Sequence, residues 1–380
     1  MSEVFETFYL LAAMQGVLLS LVLVTKRENH AANRILALAT LALSVELIVE
    51  IYYSRGWYRQ YPHAMGITYP FPYLYGPLFF LYARLVSKKV DRLHPHDLLH
   101  FLPALIVYVA IAPVFLYSGE EKIRFVVNMM MGTHPPMYSI IEGAIPIQGI
   151  IYTVLTIKTV AGYELTIRDN FSTIEMINLR WLRYLILGMI VIWPIVTMLF
   201  VADIIVPGHS NSHALLHIPI SLLIYSIGYM GLRQPEIFLA PTEKAGPEKY
   251  RRSGLSEASA TEIQRKLLIM MESEKAYIDQ ELTLQKLAGR MNVSSHNLSE
   301  VINSAMQQSY YDFVNHHRVE EFKRRVADPA NQHYNLLSIA FDAGFKSKGT
   351  FNSIFKKFTG MTPSEYKSSI DPAPVKEVSA

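Results

Sequence analysis

The sequence predicts an all-α protein with two parts of different composition. Apolar residues make up 51% of the 380 positions and charged residues 18%. The charges are concentrated after residue 233, whereas the first 232 residues hold seven apolar runs suited to membrane-spanning helices. Two later stretches each have the pattern of a helix, a tight turn and a second helix. We therefore predict an N-terminal seven-transmembrane helix bundle, then a domain with two helix-turn-helix units joined by a linker helix.

The seven apolar runs are each about 20 residues long, which is the length needed to cross a bilayer. The third and fifth are the least regular, because they contain four prolines that a helix tolerates only where neighbours satisfy the freed carbonyls. The predicted spans are Val4–Val24, Ile35–Tyr53, Gly66–Val86, Leu98–Tyr117, Met137–Val160, Leu182–Ala202 and His213–Leu232.

The orientation of the bundle follows from its basic residues, which concentrate on the cytoplasmic side of a membrane. One set of predicted loops carries eleven Lys and Arg residues and the other carries four. We therefore predict a multi-pass protein of the bacterial inner membrane. Its N-terminus is expected in the periplasm and its C-terminal domain in the cytoplasm.

The third inner loop, residues 158–183, is long for a connection between two spans. Its apolar side chains recur at helical spacing, which indicates either a helix lying on the inner membrane face or an early start to the sixth span. The residues that carry this pattern are Phe171, Ile174, Ile177 and Trp181.

The second helix-turn-helix unit surrounds a glycine. Gly344 suits the left-handed conformation of a sharp turn, and Ser347 is placed to cap the helix that follows. That helix is predicted to bury Phe351, Ile354, Phe355 and Phe358. Its other face carries small, cationic or hydrogen-bonding residues, which are Lys348, Gly349, Asn352, Ser353, Lys356 and Lys357.

The first unit repeats this plan with Asn292 in the place of the glycine, because asparagine also tolerates the left-handed region. Ser294 is the predicted cap, and a linker helix is expected over about residues 310–327. The first unit's second helix is anchored by Leu298, Val301 and Ile302. Its outward residues are Ser295, His296, Ser299, Glu300 and Asn303.

The run from Ala340 fits the motif A-F-x-x-G-F-x-S-x-x-x-F-x-x-x-F-K-K-x-x-G-x-T-P-x-x-Y. With the first unit, it resembles the DNA-binding domain of AraC/XylS-family transcription regulators over about residues 280–368. Two positions depart from the family pattern, Asn292 for the usual glycine and bulky Phe322 where a small residue is common. The resemblance implies double-stranded promoter DNA as the partner, read by the outward residues of both units. It also implies a homodimer on DNA, with RNA polymerase as a further candidate partner.

The segment after Arg233 is rich in Pro, Gly, Ser, Glu and Lys, which is typical of a tether. Ser259 or Thr261 is predicted to cap a helix that runs to about Met271. The predicted domains are a membrane domain over 1–233, a tether over 234–260, a DNA-binding domain over 261–370 and a disordered tail over 371–380.

Ionisable residues inside a membrane are costly and usually serve a function. Here they fall mostly in the outer half of the predicted bundle, which would fit a polar pocket open to the periplasm. The alternative is that each group lies at an interface and faces headgroups or water. The residues predicted for this pocket are Glu46, Glu50, Glu142, Asp203, His213 and His217.

The His213 and His217 pair has the spacing of metal ligands on one helix face, so a metal is an open alternative for the pocket. The prediction itself includes no metal or other cofactor. The chain contains no cysteine, which excludes disulfides and thiolate sites. It also lacks a phosphate-binding loop and a nucleophile elbow, so we predict no enzymatic activity.

These observations predict a one-component regulator, in which a membrane sensor for an unknown small ligand is tethered to a DNA-binding domain. The sensing role comes from analogy, because soluble relatives carry a ligand-binding or dimerisation domain in the corresponding place. One alternative is a bundle that serves only as an anchor, with activity set by abundance or proteolytic release. Another is an enzyme or transporter fused to its own regulator.

Overall fold

A computed structural model describes residues 3–26, 29–88, 92–131, 133, 135–173, 180–205, 216–233 and 255–370. The chain divides into two compact units. The first comprises residues 1–163 and 179–242, and the second comprises residues 164–178 and 243–380. The predicted tail and most of the predicted tether lie outside the described residues.

The first unit is helical throughout its described part, as the apolar runs predict. Its α-helices are α1 (Glu3–Thr25), α2 (His30–Ser54), α3 (Pro72–Lys88), α4 (Leu102–Phe115), α5 (Gly119–Met130), α6 (Pro136–Asn170), α7 (Arg180–Ile205) and α8 (His217–Arg233). A 3-10 turn over Pro95–Phe101 leads into α4. The last residues of α6, from Glu164 onward, belong to the second unit.

Five helices in the described part of the chain are long and apolar enough to cross a membrane. They correspond to the first, second, fourth, fifth and sixth predicted spans. The third and seventh predicted spans form α3 and α8, which have 17 residues each. The finding is thus a set of five candidate membrane helices rather than seven.

Small residues let α1 and α2 approach closely, which is how helices commonly pack in lipid. Gly16 lies against α2, where an added Cβ would come within 2.1 Å of the Ser44 hydroxyl. Ser20 donates a hydrogen bond to the Ala37 carbonyl at 2.9 Å. The opposite face of α1 exposes large apolar residues, with Leu11 54% and Leu18 64% exposed. Such a surface fits a hydrocarbon environment.

Two features of the first unit differ from the prediction. Helix α6 runs without a break from Pro136 to Asn170, so the third inner loop starts about ten residues later than its sequence suggested. Phe171 then lies in an antiparallel bridge instead of an amphipathic helix. Ile174 and Ile177 lie outside the described residues, as does the side chain of Trp181. Helix α5, which the sequence analysis missed, begins with a capping box between Ser118 and Glu121.

The second unit contains two helix-turn-helix units, as predicted. Its α-helices are α9 (Glu257–Ser273), α10 (Leu284–Met291), α11 (Ser295–Glu300), α12 (Tyr310–Ala327), α13 (Leu336–Asp342), α14 (Lys348–Thr359) and α15 (Pro363–Ile370). Helix α9 begins earlier than expected, because Ser256 caps it by accepting a hydrogen bond from the Ser259 amide. Neither predicted cap, Ser259 or Thr261, has that role.

Helix α12 joins two separate hydrophobic cores. One core forms around α9, α10 and α11, and the other forms around α13 and α14. Successive apolar positions on α12 contribute to the two cores in turn, so this helix fixes one helix-turn-helix unit to the other. Its contributions are Tyr310, Phe313 and Val314 to the first core and Tyr311, Val319 and Phe322 to the second.

Candidate functional site

Both predicted turns have the left-handed backbone that their sequences suggested. Asn292 has φ 54° and ψ 45°, and Gly344 has φ 97°. The predicted caps are also present. Ser294 accepts a hydrogen bond from the Asn297 amide at 3.1 Å, and Ser347 accepts one from the Thr350 amide at 3.2 Å. These contacts satisfy amides that the first turn of each helix leaves without an intrahelical partner.

Helix α14 separates its two faces sharply. Phe351, Ile354 and Phe355 are buried, as predicted, whereas Phe358 is only partly buried. All the predicted outward residues are exposed, and these are Lys348, Gly349, Asn352, Ser353, Lys356 and Lys357. The exposed face combines amines, an amide and a hydroxyl, which are groups that donate to base edges and phosphates.

The corresponding face of α11, in the first helix-turn-helix unit, is less open. Ser295, His296, Ser299, Glu300 and Asn303 are all only partly exposed. Two of its contacts lie within the helix, a hydrogen bond from the Asn303 amide to the Ser299 hydroxyl at 3.2 Å and a His296–Glu300 contact at 4.0 Å. After Glu300 the chain widens into a π-turn over Val301–Ala305. Such turns are rare and often occur at functional sites.

One predicted DNA contact already has a partner inside the domain. The Lys357 ammonium lies 2.6 Å from the Asp312 carboxylate at the start of α12, although the lysine side chain stays 45% exposed. This pair joins α14 to the linker helix. A contact from Lys357 to phosphate would therefore compete with an ion pair, whereas its neighbour Lys356 is simply exposed.

A buried carboxylate organises the side of α12 that the sequence analysis did not consider. Burial by itself would raise the pKa of Glu321. Hydrogen bonds from Arg324, Arg325 and Lys275 outweigh that effect and lower the pKa to about 2. The hydroxyl of Tyr277 also donates to this carboxylate at 3.2 Å. Glu321 thus ties α12 to the chain that follows α9.

The N-terminal compact unit, residues 1–163 and 179–242, contains a cavity of about 410 Å³. Its walls are mostly apolar and come from α2, α3, α6, α7 and α8. Four of the six predicted pocket residues line it, namely Glu46, Glu50, Glu142 and His217. Residue 213 lies outside the described part of the chain, as does the side chain of Asp203.

Tyrosines accompany the carboxylates in this cavity. The Tyr75 hydroxyl lies 3.3 Å from a Glu46 oxygen, and the Tyr69 hydroxyl lies 3.3 Å from a Glu142 oxygen. Sequence analysis missed both tyrosines, because each is far along the chain from the glutamate that it contacts. The density of tyrosine between residues 69 and 82 was the available signal. His217 Nδ1 lies 3.7 Å from Glu50. The described residues include no group of three or more potential metal ligands.

The C-terminal compact unit has two capped helix-turn-helix units on one linker helix. This geometry defines a double helix-turn-helix domain. The family described as "Helix-turn-helix domain" matches residues 287–369. The C-terminal domain is thus a helix-turn-helix domain of the AraC type.

Two curated relatives match a short part of the chain. The melibiose operon regulatory protein of Escherichia coli (strain K12) is 27% identical over 89 residues, which cover 23% of this chain and 28% of that protein. The protein of the same name from Escherichia coli O6:H1 (strain CFT073) gives the same values. The chain thus matches little more than a quarter of the length of these relatives. No solved structure matches the chain significantly.

Proposed function

We propose that this protein is a membrane-bound, sequence-specific DNA-binding regulator of transcription whose membrane domain senses a small ligand. The observation that carries the DNA-binding part is the exposed polar face of α14, held by a glycine turn and a capping serine. The relatives named above are regulatory proteins, which supports regulation as the role of this domain. No enzymatic role is proposed.

In this proposal α11 and α14 enter successive major grooves of one DNA duplex, with two copies of the chain on adjacent sites. The predicted base contacts come from Lys348, Asn352 and Ser353 in α14 and from His296, Ser299 and Glu300 in α11. Asparagine suits adenine and lysine suits guanine in the major groove. Ser295 and Gly349 lie at the helix starts, where backbone amides approach phosphate. Asn303, Lys356 and Lys357 are assigned to phosphates as well.

The proposed membrane arrangement has seven spans, with α3 and α8 as the short ones and the N-terminus in the periplasm. A helix of 17 residues is at the lower limit for crossing a bilayer. Reporter fusions test the arrangement. A periplasm-active enzyme fused after Ser118 or His209 should be active, and one fused after Lys88 or Pro241 should not. Activity at Pro241 would contradict it.

The proposed ligand is cationic or rich in hydrogen-bonding groups. It would occupy the cavity lined by Glu46, Glu50, Glu142 and His217. Carboxylates in a largely apolar cavity favour positive charge, because their own desolvation is costly until a cation pairs with them. Binding can change DNA occupancy only if the ligand prefers one arrangement of the helices over another.

DNA binding can be tested by selecting duplexes from a random library with the full-length protein in detergent. We expect a recurrent motif with two conserved base-pair segments about one helical turn of DNA apart. A Lys348→Ala, Asn352→Ala double variant should lose that motif. A matched double variant on exposed α9 positions, Glu262→Ala with Arg265→Ala, should recover it. Failure of the wild type to enrich any motif would contradict the proposal.

The sensing part needs a reporter under a promoter recovered by that selection and a panel of organic amines as probes. Glu46→Gln and His217→Ala should shift the response to an active amine, because the first removes a carboxylate charge from the cavity and the second removes an imidazole. Glu120→Gln changes an exposed carboxylate on α5 and is the matched control. Normal responses from both cavity variants at normal protein levels would favour the membrane domain as an anchor.

A further inference from the structure

Residues 171–173, which directly follow α6, lie in a groove of the second compact unit, residues 164–178 and 243–380. Phe171 pairs with Thr283 in an antiparallel bridge, just before α10. Beside it, the Ser172 amide donates to the Leu282 carbonyl at 3.4 Å and the Ser172 hydroxyl donates to the same oxygen at 2.6 Å. The Thr173 hydroxyl donates to the Gln280 carbonyl at 2.8 Å. One isolated bridge and two hydroxyl hydrogen bonds therefore hold the segment against the backbone of residues 280–283.

The other wall of the groove is α12. Asn315 donates to the Ser172 carbonyl at 3.0 Å, and Arg318 donates to the same oxygen at 3.2 Å. Arg318 also reaches the Ser172 hydroxyl at 3.1 Å. Ser172 is completely buried, and Arg318 is 1% exposed. A serine enclosed this completely, with its amide, carbonyl and hydroxyl all bonded, is held specifically.

The groove is positioned by contacts that do not involve the segment. The Arg318 guanidinium donates to the carbonyls of Tyr277 and Asp279 at 2.8 Å each, and Asn315 donates to the Tyr311 carbonyl at 2.8 Å. Both side chains are therefore oriented by the second unit itself. They present donors to any extended backbone that enters between residues 279–283 and α12.

A second contact comes from the end of α6. The Arg168 guanidinium lies 5.8 Å from the ring centre of Tyr311, within the range of a cation–π interaction. Tyr311 is buried in the core of the second helix-turn-helix unit, on the helix that also carries Asn315 and Arg318. The segment and the end of α6 thus both contact α12, which joins the two helix-turn-helix units.

We infer that the groove between residues 279–283 and α12 is a docking site for residues 171–173 of this chain. Docking would link the end of α6 to the linker helix by a route separate from the predicted tether after Arg233. The consequence for transcription rests on the function proposed above. If docking and release alter how α11 and α14 are presented, movement of α6 alters DNA occupancy without cleavage of the chain.

The bridge itself offers a direct test of docking, because the chain contains no native cysteine. Phe171 and Thr283 form a non-hydrogen-bonded antiparallel pair, in which Cα atoms are about 4.5 Å apart and within reach of a disulfide. Phe171→Cys with Thr283→Cys in the full-length protein should cross-link when membranes are oxidised. Phe171→Cys with Ser368→Cys is the mispaired control. Equal cross-linking of the two pairs would overturn the docking site.

Ser172→Leu tests whether the buried serine holds the segment. Added to the Phe171/Thr283 cysteine pair, it should slow cross-linking about tenfold, because leucine is too large for the buried site and lacks the hydroxyl that bonds to Leu282 and Arg318. The same change at exposed Ser368 is the matched control. Without added cysteines, Ser172→Leu should change promoter output about fivefold or more at equal protein level. Unchanged output would overturn the link to α6. If the wild type binds no DNA, the proposed function fails while cross-linking still decides docking.

Discussion

The two helix-turn-helix units meet the same requirement with different residues. Each turn needs a left-handed backbone, provided by Asn292 in the first unit and Gly344 in the second. A Cβ built on Gly344 would lie 2.4 Å from the Tyr277 carbonyl oxygen, so packing as well as conformation requires glycine there. At position 292 a side chain is present and exposed. A positive φ can therefore be combined with a side chain in one unit and require glycine in the other.

The two helices proposed to face DNA differ in a related way. Helix α14 is regular over 12 residues, with its polar face exposed. Helix α11 has six residues and passes into a π-turn, and its polar residues are partly covered. The second unit therefore presents a rigid, open surface, whereas the shape of the first unit is set more by its own packing. We expect the larger share of sequence discrimination from α14.

The largest effect is expected from Gly344→Ala. A Cβ at this position would clash with a backbone carbonyl, and a φ of 97° is strained for alanine. We therefore expect the free energy of unfolding to fall by about 3 kcal/mol or more. Gly360→Ala is the matched control, because its φ is 77° but nothing lies within 4 Å of the added atom. Amide hydrogen exchange of α13 and α14 in the full-length protein would measure both. Equal losses would show that packing at Gly344 is unimportant.

A pH effect should distinguish the interior of α12 from its surface. Burial lowers the pKa of His317 to about 4, with nearby His316 acting in the same direction. Between pH 6.5 and 4 the unfolded state binds a proton that the folded state does not, so stability falls as pH falls, by about 3 kcal/mol in all. Urea midpoints of the C-terminal domain, followed by pulse proteolysis, would reveal this slope.

Replacing the histidine separates its contribution from that of Glu321. His317→Asn should flatten the slope between pH 6.5 and 4, whereas His316→Asn, at an exposed neighbour, should leave most of it. The low pKa of Glu321 adds a loss at lower pH, as pH falls from about 4.5 towards 2. A slope unchanged by His317→Asn would assign the pH dependence to other groups.

The DNA-facing residues of α14 should divide into two classes. Asn352→Ala should relax specificity at one base pair by about 1–3 kcal/mol. Lys357→Ala should weaken all sequences alike and reduce the salt dependence of binding. Lys356→Ala is the useful comparison, because it removes the same charge without breaking the Asp312 pair. Binding isotherms of full-length protein at several salt concentrations would test this. Uniform weakening by Asn352→Ala would contradict its assigned role.

The smallest effects should come from the turn of the first unit. Asn292→Gly should change stability by only a few tenths of a kcal/mol, because glycine accepts the same backbone angles. Asn292→Ala should cost about 1 kcal/mol from the positive φ alone. Hydrogen exchange of α10 and α11 measures both changes. A large loss from Asn292→Gly would show that the asparagine side chain has a role beyond the turn.

Sequence reasoning succeeded where a requirement is local. The turns at Asn292 and Gly344 and the caps at Ser294 and Ser347 were predicted from residue type and spacing, and the structure confirms them. It failed where the alternatives are close in local energy. The cap of α9 fell on Ser256, one of several serines and threonines that could satisfy the same amides.

Local sequence patterns account for the helical class, the two turns and the polar face of α14, because glycine, caps and apolar spacing act within a few residues of chain. Which distant groups meet depends instead on how the helices pack. That packing brought Glu46 and Glu142 to one cavity with tyrosines from other elements, and it seated Ser172 against Arg318. Such contacts join residues as many as 146 positions apart. Their formation depends on the packing of whole helices, which no local pattern records.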